Sequence, residues 1–173
     1  MFTISTTLAN VSSNECSAAI EEHYEVVGVP VQILDRVRMI SQITTKPIIV
    51  DADTGYGSLI NLRHAVKSFE KAGVSAIQIE DQIFPKRCGH AQGVEVVSID
   101  EMCNRIRVAV DSRNNENFLI IARTDCRTSL GFDEALRRGK EYSRAGADLI
   151  FVESPQTVVE MKKLLKSIDC PMV

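Results

Sequence analysis

The chain has 173 residues, enough for one domain with a substantial core and too few for two comfortable ones. Apolar residues make up 45% and charged residues 25%, which excludes a disordered chain, and a net charge of −3 argues against a nucleic-acid-binding face. No apolar run reaches the length of a membrane span, and the first basic residues, Arg36 and Lys46, stand too late for a signal or transit peptide.

Phe2-Thr-Ile-Ser5 reads as a short strand, followed by a Ser/Thr-rich loop to Ser13. Ile33, Val37 and Ile40 predict a helix ahead of Lys46-Pro47. From residue 47 the signals alternate. Pro47 to Val50 is an apolar run that leads to Asp51, as a buried parallel strand would. Leu59, Leu62, Val66 and Phe69 mark one face of a helix that Gly73 ends. Ala76 to Ile79 predicts the next strand, with Glu80 at its end, and residues 81–97 lack a helical period and predict a long loop.

Ser98 and Glu101 have capping-box spacing and open a helix that turns Met102, Ile106, Ala109 and Val110 inward. Phe118 to Ala122 predicts another strand, a helix runs from about Asp133 to Gly146, and Leu149 to Val152 forms a strand ending at Glu153. Thr157 and Glu160 repeat the capping spacing before a helix with Met161, Leu164 and Leu165 inward, and Pro171 to Val173 reads as the start of one more strand. Residues 71–80 and 144–153 share one pattern: Ala-Gly, a spacer, an apolar run and a terminal Glu. Such alternation means parallel βα units, in an open doubly wound sheet or in part of a (β/α) barrel.

The charged residues fall where such folds place their chemistry. Asp51, Asp53, Glu80, Arg123 with Asp125, and Glu153 each sit at or just past a predicted strand end, and parallel strands share one C-terminal face. Carboxylates converging there call for a cation, and hard oxygen donors favour Mg²⁺. Asp51-Ala-Asp-Thr-Gly-Tyr-Gly57 joins paired acids to a glycine turn that lets backbone approach a ligand and opens a helix whose N–H groups can hold an anion.

In Pro85-Lys-Arg-Cys-Gly-His90, positive neighbours favour ionisation of the Cys88 thiol. Cys16, Cys103, Cys126 and Cys170 lack such neighbours and read as structural; five cysteines without a CxxC pair indicate a reducing, cytoplasmic compartment. His23 and His64 read as surface residues.

Asp51 to Gly57, Ile79-Glu-Asp-Gln82, Lys86-Arg-Cys-Gly-His90 and Ala122-Arg-Thr-Asp125, in this order, resemble the isocitrate lyase/phosphoenolpyruvate mutase superfamily. The Lys-Arg-Cys-Gly-His run resembles its lyase branch, the 2-methylisocitrate and dimethylmalate lyase-like enzymes, and the resemblance covers about residues 47–173. It implies an α/β protein with a TIM-type (β/α) barrel that uses Mg²⁺ to split a C–C bond in a 2-hydroxy di- or tricarboxylate, releasing a 2-oxo acid such as pyruvate.

By that likeness Asp51 binds the metal directly, and Asp53 and Glu80 hold metal-bound water. Arg123 clamps a substrate carboxylate, Glu153 binds near the reacting end, and Cys88 protonates the enolate-like product. Lys86, Arg87, Gly89 and His90 complete a mobile loop over the substrate.

The sequence departs from the family at both flanks. Residues 1–173 supply about six of eight βα units, as one partial barrel domain: the first unit and the last two strands have no counterpart. The Ser-Gly-rich substrate loop corresponds to Ile4-Ser-Thr-Thr7, where Ser5 alone matches, and the Gly-Leu-Pro-Asp metal motif has no match before residue 35. The expectation is a fragment, or a short protein whose neighbours supply the missing walls in a homo-oligomer. The alternatives are a carboxyphosphonoenolpyruvate mutase-like enzyme acting on a P–C bond, and a remnant that binds ligands without turnover.

Overall fold

The computed structural model describes residues 2–4, 31–88 and 93–173. Five strands, β1 (Phe2–Ile4), β2 (Ile48–Asp51), β3 (Ala76–Glu80), β4 (Leu119–Thr124) and β5 (Leu149–Val152), form one parallel sheet in the order β1-β2-β3-β4-β5. Met172 adds a parallel bridge to Ile150, so a sixth strand begins where Pro171 to Val173 predicted it. Each new strand joins the same edge. A doubly wound sheet reverses its order at a switch point, so this topology selects the barrel alternative.

The helices are α1 (Val31–Ile43), α2 (Leu59–Lys71), α3 (Ile99–Ser112), α4 (Arg127–Leu130), α5 (Phe132–Arg144) and α6 (Val158–Ser167). Val37 of α1, Leu62 and Phe69 of α2, Met102 and Ile106 of α3 and Leu164 of α6 pack in one large core with Ile48, Val50, Ile77, Ile79, Ile120, Ala122, Ile150 and Val152. The alternate strand residues face the other way and form a much smaller cluster of Ile49, Ala76 and Ile121, with Leu119, Leu149 and Phe151 partly buried around it. A sheet with helices on one face and a narrow apolar floor on the other is a barrel wall seen with its lumen side open.

The two similar units close in the same way. After α2 the N–H of Val74 reaches Phe69 O at 3.2 Å across Gly73 (φ +85°), and after α5 the N–H of Ala147 reaches Tyr142 O at 3.2 Å across Gly146 (φ +105°). Both are left-handed glycine stops that turn the chain directly into β3 and β5.

Details differ from expectation. The loop 81–97 is laddered at its base: Ile83 N–H donates to Glu95 O at 2.9 Å and Val97 N–H to Asp81 O at 2.8 Å. Only half of each capping box forms. Ser98 and Thr157 accept the N–H of Glu101 and Glu160, but Glu101 turns to Arg105 (2.7 Å), and Glu160 binds Arg127 (2.7 Å) and the backbone N–H of Gln156 (2.9 Å), one residue ahead of the cap. In α6 only Leu164 is buried, against the core, and Met161 and Leu165 are exposed; α5 packs against this helix. Val110 is only half-buried.

Candidate active site

The strand-end residues lie on the lumen face. Counting in twos along each strand, Ile49 leads to Asp51, Ala76 to Glu80, Ile121 to Arg123 and Phe151 to Glu153, so the apolar floor continues upward into a charged rim. The register places Asp51 beside Gln78, Glu80 beside Arg123, and Arg123 beside Phe151.

A tight turn after β2 brings Asp53 into this rim. Its backbone is left-handed (φ +49°), held by Asp51 Oδ1, which accepts the Asp53 N–H at 3.0 Å, and by Glu80 N–H, which donates to Asp53 O at 2.8 Å. The glycine turn also serves the fold. At Gly55 (φ +93°) a β-carbon would meet Leu62 Cδ1 at 2.9 Å, and Ser58 N–H is occupied by Asn61 Oδ1 at 3.1 Å.

Two cations organise the carboxylates. The Lys86 ammonium contacts Asp53 Oδ1 and lies 3.7 Å from Glu80 Oε1. Arg123 binds Asp125 Oδ1 through Nε and Nη2, both at 2.9 Å, reaches Glu153 Oε2 with Nη2 at 2.9 Å, sits 3.8 Å from Glu80 Oε2, and stacks 5.2 Å from the centre of the Phe151 ring. Burial would lower the Lys86 pKa, but Asp53, Glu80 and Asp51 outweigh it and hold the ammonium above its ordinary value.

Among the described residues no three acidic, His or Cys side chains converge tightly enough to cage an ion as they stand, and the Lys86 ammonium lies between two of the expected ligands. The donor set nevertheless suits a hard cation: Glu80 Oε1 is buried without a hydrogen-bond partner and faces the same space as Asp53.

Burial pushes Glu80 up to about 8; Lys86 opposes the shift, Asp125 and Asp51 add to it, and Arg123 opposes it again. The folded state therefore keeps this proton to higher pH than the unfolded chain, whose carboxyl titrates near 4.5. The resulting stabilisation is complete below 4.5 and is lost as pH rises through 8. Glu80→Gln should remove this part of the pH dependence, read as the change in urea midpoint between about pH 5 and about pH 9.

Cys88 is exposed on the loop beyond Lys86, and the ammonium expected beside it is turned instead onto Asp53 and Glu80. Arg87 is tied through its backbone to Gln82. Cys103 and Cys126 are buried free thiols, burial pushing Cys126 up to about 11, and Cys170 is a half-buried one. His64 is exposed. Ser5, Gly89 and His90, together with Cys16 and His23, lie outside the described residues.

Sequence reasoning missed the layer beneath the rim. Asp81 is fully buried and accepts from Thr124 Oγ1 (2.7 Å), Asp125 N–H (3.0 Å), Arg138 Nη1 (3.0 Å) and Tyr142 OH (2.7 Å). Burial and the adjacent Asp81 push the Tyr142 hydroxyl well above its ordinary value, so it remains a donor. An arginine at 138 between the apolar positions Ala135 and Tyr142 of one helix face was the signal available for this network.

The profile of the phosphoenolpyruvate phosphomutase family matches residues 11–173. The chain is 50% identical over 137 residues to the 2,3-dimethylmalate lyase of Eubacterium barkeri, covering 79% of this chain and 47% of that protein. It is 42% identical over 142 residues to the 2-methylisocitrate lyase of Salmonella typhimurium, covering 82% and 47%.

A crystal structure of 2,3-dimethylmalate lyase, described as a PEP mutase/isocitrate lyase superfamily member, superposes with a TM-score of 0.79 at 32% identity, over 90% of this chain and 54% of that one. Phosphonopyruvate hydrolase in complex with oxalate and Mg²⁺ superposes with a TM-score of 0.71 at 38% identity, over 80% and 49%. The chain spans about half the length of the curated relatives it matches. With a barrel-type parallel sheet, a charged rim on its C-terminal face and a profile match over nearly its whole length, the chain belongs to the phosphoenolpyruvate phosphomutase family of the PEP mutase/isocitrate lyase superfamily.

Proposed function

We propose that this chain, as one partial barrel domain, carries the central part of a carbon–carbon lyase site that cleaves a 2-hydroxy di- or tricarboxylate into a 2-oxo acid and a dicarboxylate. The observation that carries the reading is the Arg123 guanidinium, fixed by Asp125 and Glu153 and facing Glu80 and the Lys86 segment, with Cys88 two residues beyond the lysine. The curated relatives are named as lyases acting on 2,3-dimethylmalate and 2-methylisocitrate, which supports a substrate of that class.

In this reading the planar Arg123 fork grips one substrate carboxylate while Glu153 keeps the fork turned toward the lumen. Asp51, Asp53 and Glu80 would hold Mg²⁺, with Lys86 yielding its place among them; when bound, the ion supplies Lewis-acid stabilisation of negative charge on the substrate's 2-oxygen.

The hydroxyl gives up its proton to solvent water, its C–O bond becomes a carbonyl, and the electron pair of the adjacent C–C bond leaves as a carbanion on the departing dicarboxylate. The Cys88 thiol donates its proton to that carbon. Lys86 and Arg87 draw the polyanion in, their loop, completed by Gly89 and His90, excludes water on closing, and Ser5 of the separate N-terminal loop binds substrate. The proposed setting is a homo-oligomer in the cytoplasm.

Cys88→Ala tests the assignment. Turnover of the hydroxy acid should fall by about a thousandfold or more, in line with loss of an essential acid, while calorimetric Mg²⁺ binding is retained. Unchanged turnover would sink it. The rival phosphonate chemistry is favoured by the likeness to phosphonopyruvate hydrolase, and conversion of phosphonopyruvate followed by phosphorus NMR would establish it instead.

A further inference from the structure

Gln82 is 2% exposed, two residues past the end of β3, and every polar atom of its side chain is engaged. Its Oε1 accepts the backbone N–H of Arg87 at 2.8 Å, and its Nε2 donates to the backbone O of Arg87 at 3.0 Å. A single amide thus grips both polar groups of one residue, as a neighbouring strand would. The second Nε2 donor bond goes to Asp125 Oδ2 at 2.9 Å, and the other oxygen of Asp125 receives Arg123.

Backbone pairing of residues 81–83 with 95–97 closes the base of the loop, but it ends well short of Lys86 and Cys88. Arg87 stands between those two residues, so Gln82 ties the backbone of the reactive segment to the barrel wall, beside the ion pairs that Lys86 makes with Asp53 and Glu80.

We propose that Gln82 is the positioning residue that sets the Lys86–Cys88 segment against the Arg123–Asp125 pair. It acts through the backbone of Arg87 on one side and the carboxylate of Asp125 on the other. The role builds on the lyase reading, because it supposes that Cys88 and Arg123 work on one substrate. Only an amide matches this set of partners. A glutamate would place a second carboxylate against Asp125 and lose the donor to Arg87 O, and a leucine would leave Arg87 N–H, Arg87 O and Asp125 Oδ2 without this partner.

The experiment compares the unaltered chain with Gln82→Leu and Gln82→Glu by amide hydrogen exchange at Arg87 and by the rate of tryptic cleavage after Arg87. In the unaltered chain the Arg87 amide should be protected and cleavage slow. Gln82→Leu should speed both by roughly tenfold or more, the factor one ordinary hydrogen bond corresponds to, and Gln82→Glu, which keeps an acceptor for the Arg87 N–H, should speed cleavage more than exchange, while Ile79 and Ile121 amides of the sheet exchange as before. A purely structural contribution would raise exchange in the sheet as well.

Unprotected Arg87 in the unaltered chain overturns the proposal without recourse to any variant, so misfolding of Gln82→Leu does not shelter it. A folded variant with both rates unchanged also overturns it. Neither rate depends on turnover: an inactive chain counts against the lyase reading, whereas the position of Arg87 is decided by exchange and cleavage.

Discussion

Asp81→Ala should lower folding stability by about 3–5 kcal/mol, seen as a drop in urea midpoint with little change in slope. The carboxylate is fully buried and takes four donors, among them Arg138, whose side chain is 5% exposed. Removing the acid leaves that guanidinium with Glu134 at 3.0 Å and the Tyr142 hydroxyl, which donates to Asp81 and then has no acceptor there. It also releases the Asp125 N–H and the Thr124 hydroxyl at the end of β4. If the loss arises from an uncompensated buried charge, adding Arg138→Met should restore part of it, since replacing a whole buried pair by apolar groups is often close to neutral.

Arg123→Leu should destabilise by a similar amount and abolish binding of a dicarboxylate. Three carboxylates, those of Glu80, Asp125 and Glu153, share this guanidinium, and the Asp125 side chain has no exposure of its own. Without the arginine they face one another, and only Lys86 remains near Glu80. Arg123→Lys should recover part of the stability but little of the binding, because a point charge cannot hold Asp125, Glu153 and a substrate carboxylate at once in the planar geometry the fork provides. Urea unfolding and titration calorimetry with oxalate would separate the two effects. Retained oxalate affinity in Arg123→Leu would remove Arg123 from the substrate site.

Both variants probe layers of one construction. Glu80, Arg123 and Glu153 share the lumen face by strand alternation, whereas Asp81 and Thr124, one residue out of phase, point to the helix side and meet Arg138 and Tyr142 there. The side chain of Asp125 returns to the rim while its N–H is held from below by Asp81, so Asp125 couples the buried network to the charged rim.

Local signals were sufficient for most of the fold. The 3.6-residue apolar spacing of Leu62, Val66 and Phe69, the stops at Gly73 and Gly146, and the apolar runs ending in Asp51, Glu80 and Glu153 each depend on neighbours close in sequence, and each appears in place, whereas Leu59 in the first turn of α2 is exposed. Met161 and Leu165 of α6 were misjudged because periodicity states which face is apolar, not whether another element is present to cover it.

By itself, then, the sequence determined the βα alternation and the charged residues at the strand ends, because hydrophobic period, capping residues and strand parity are written within a few positions of one another. Tertiary structure alone decided three things: the singly wound strand order, the seating of Lys86 on Asp53 and Glu80, and the ties from Gln82 to Arg87 and Asp125 and from Asp81 to Arg138. Such pairings join groups as much as 57 residues apart, and their strength comes from burial that no local stretch of sequence possesses.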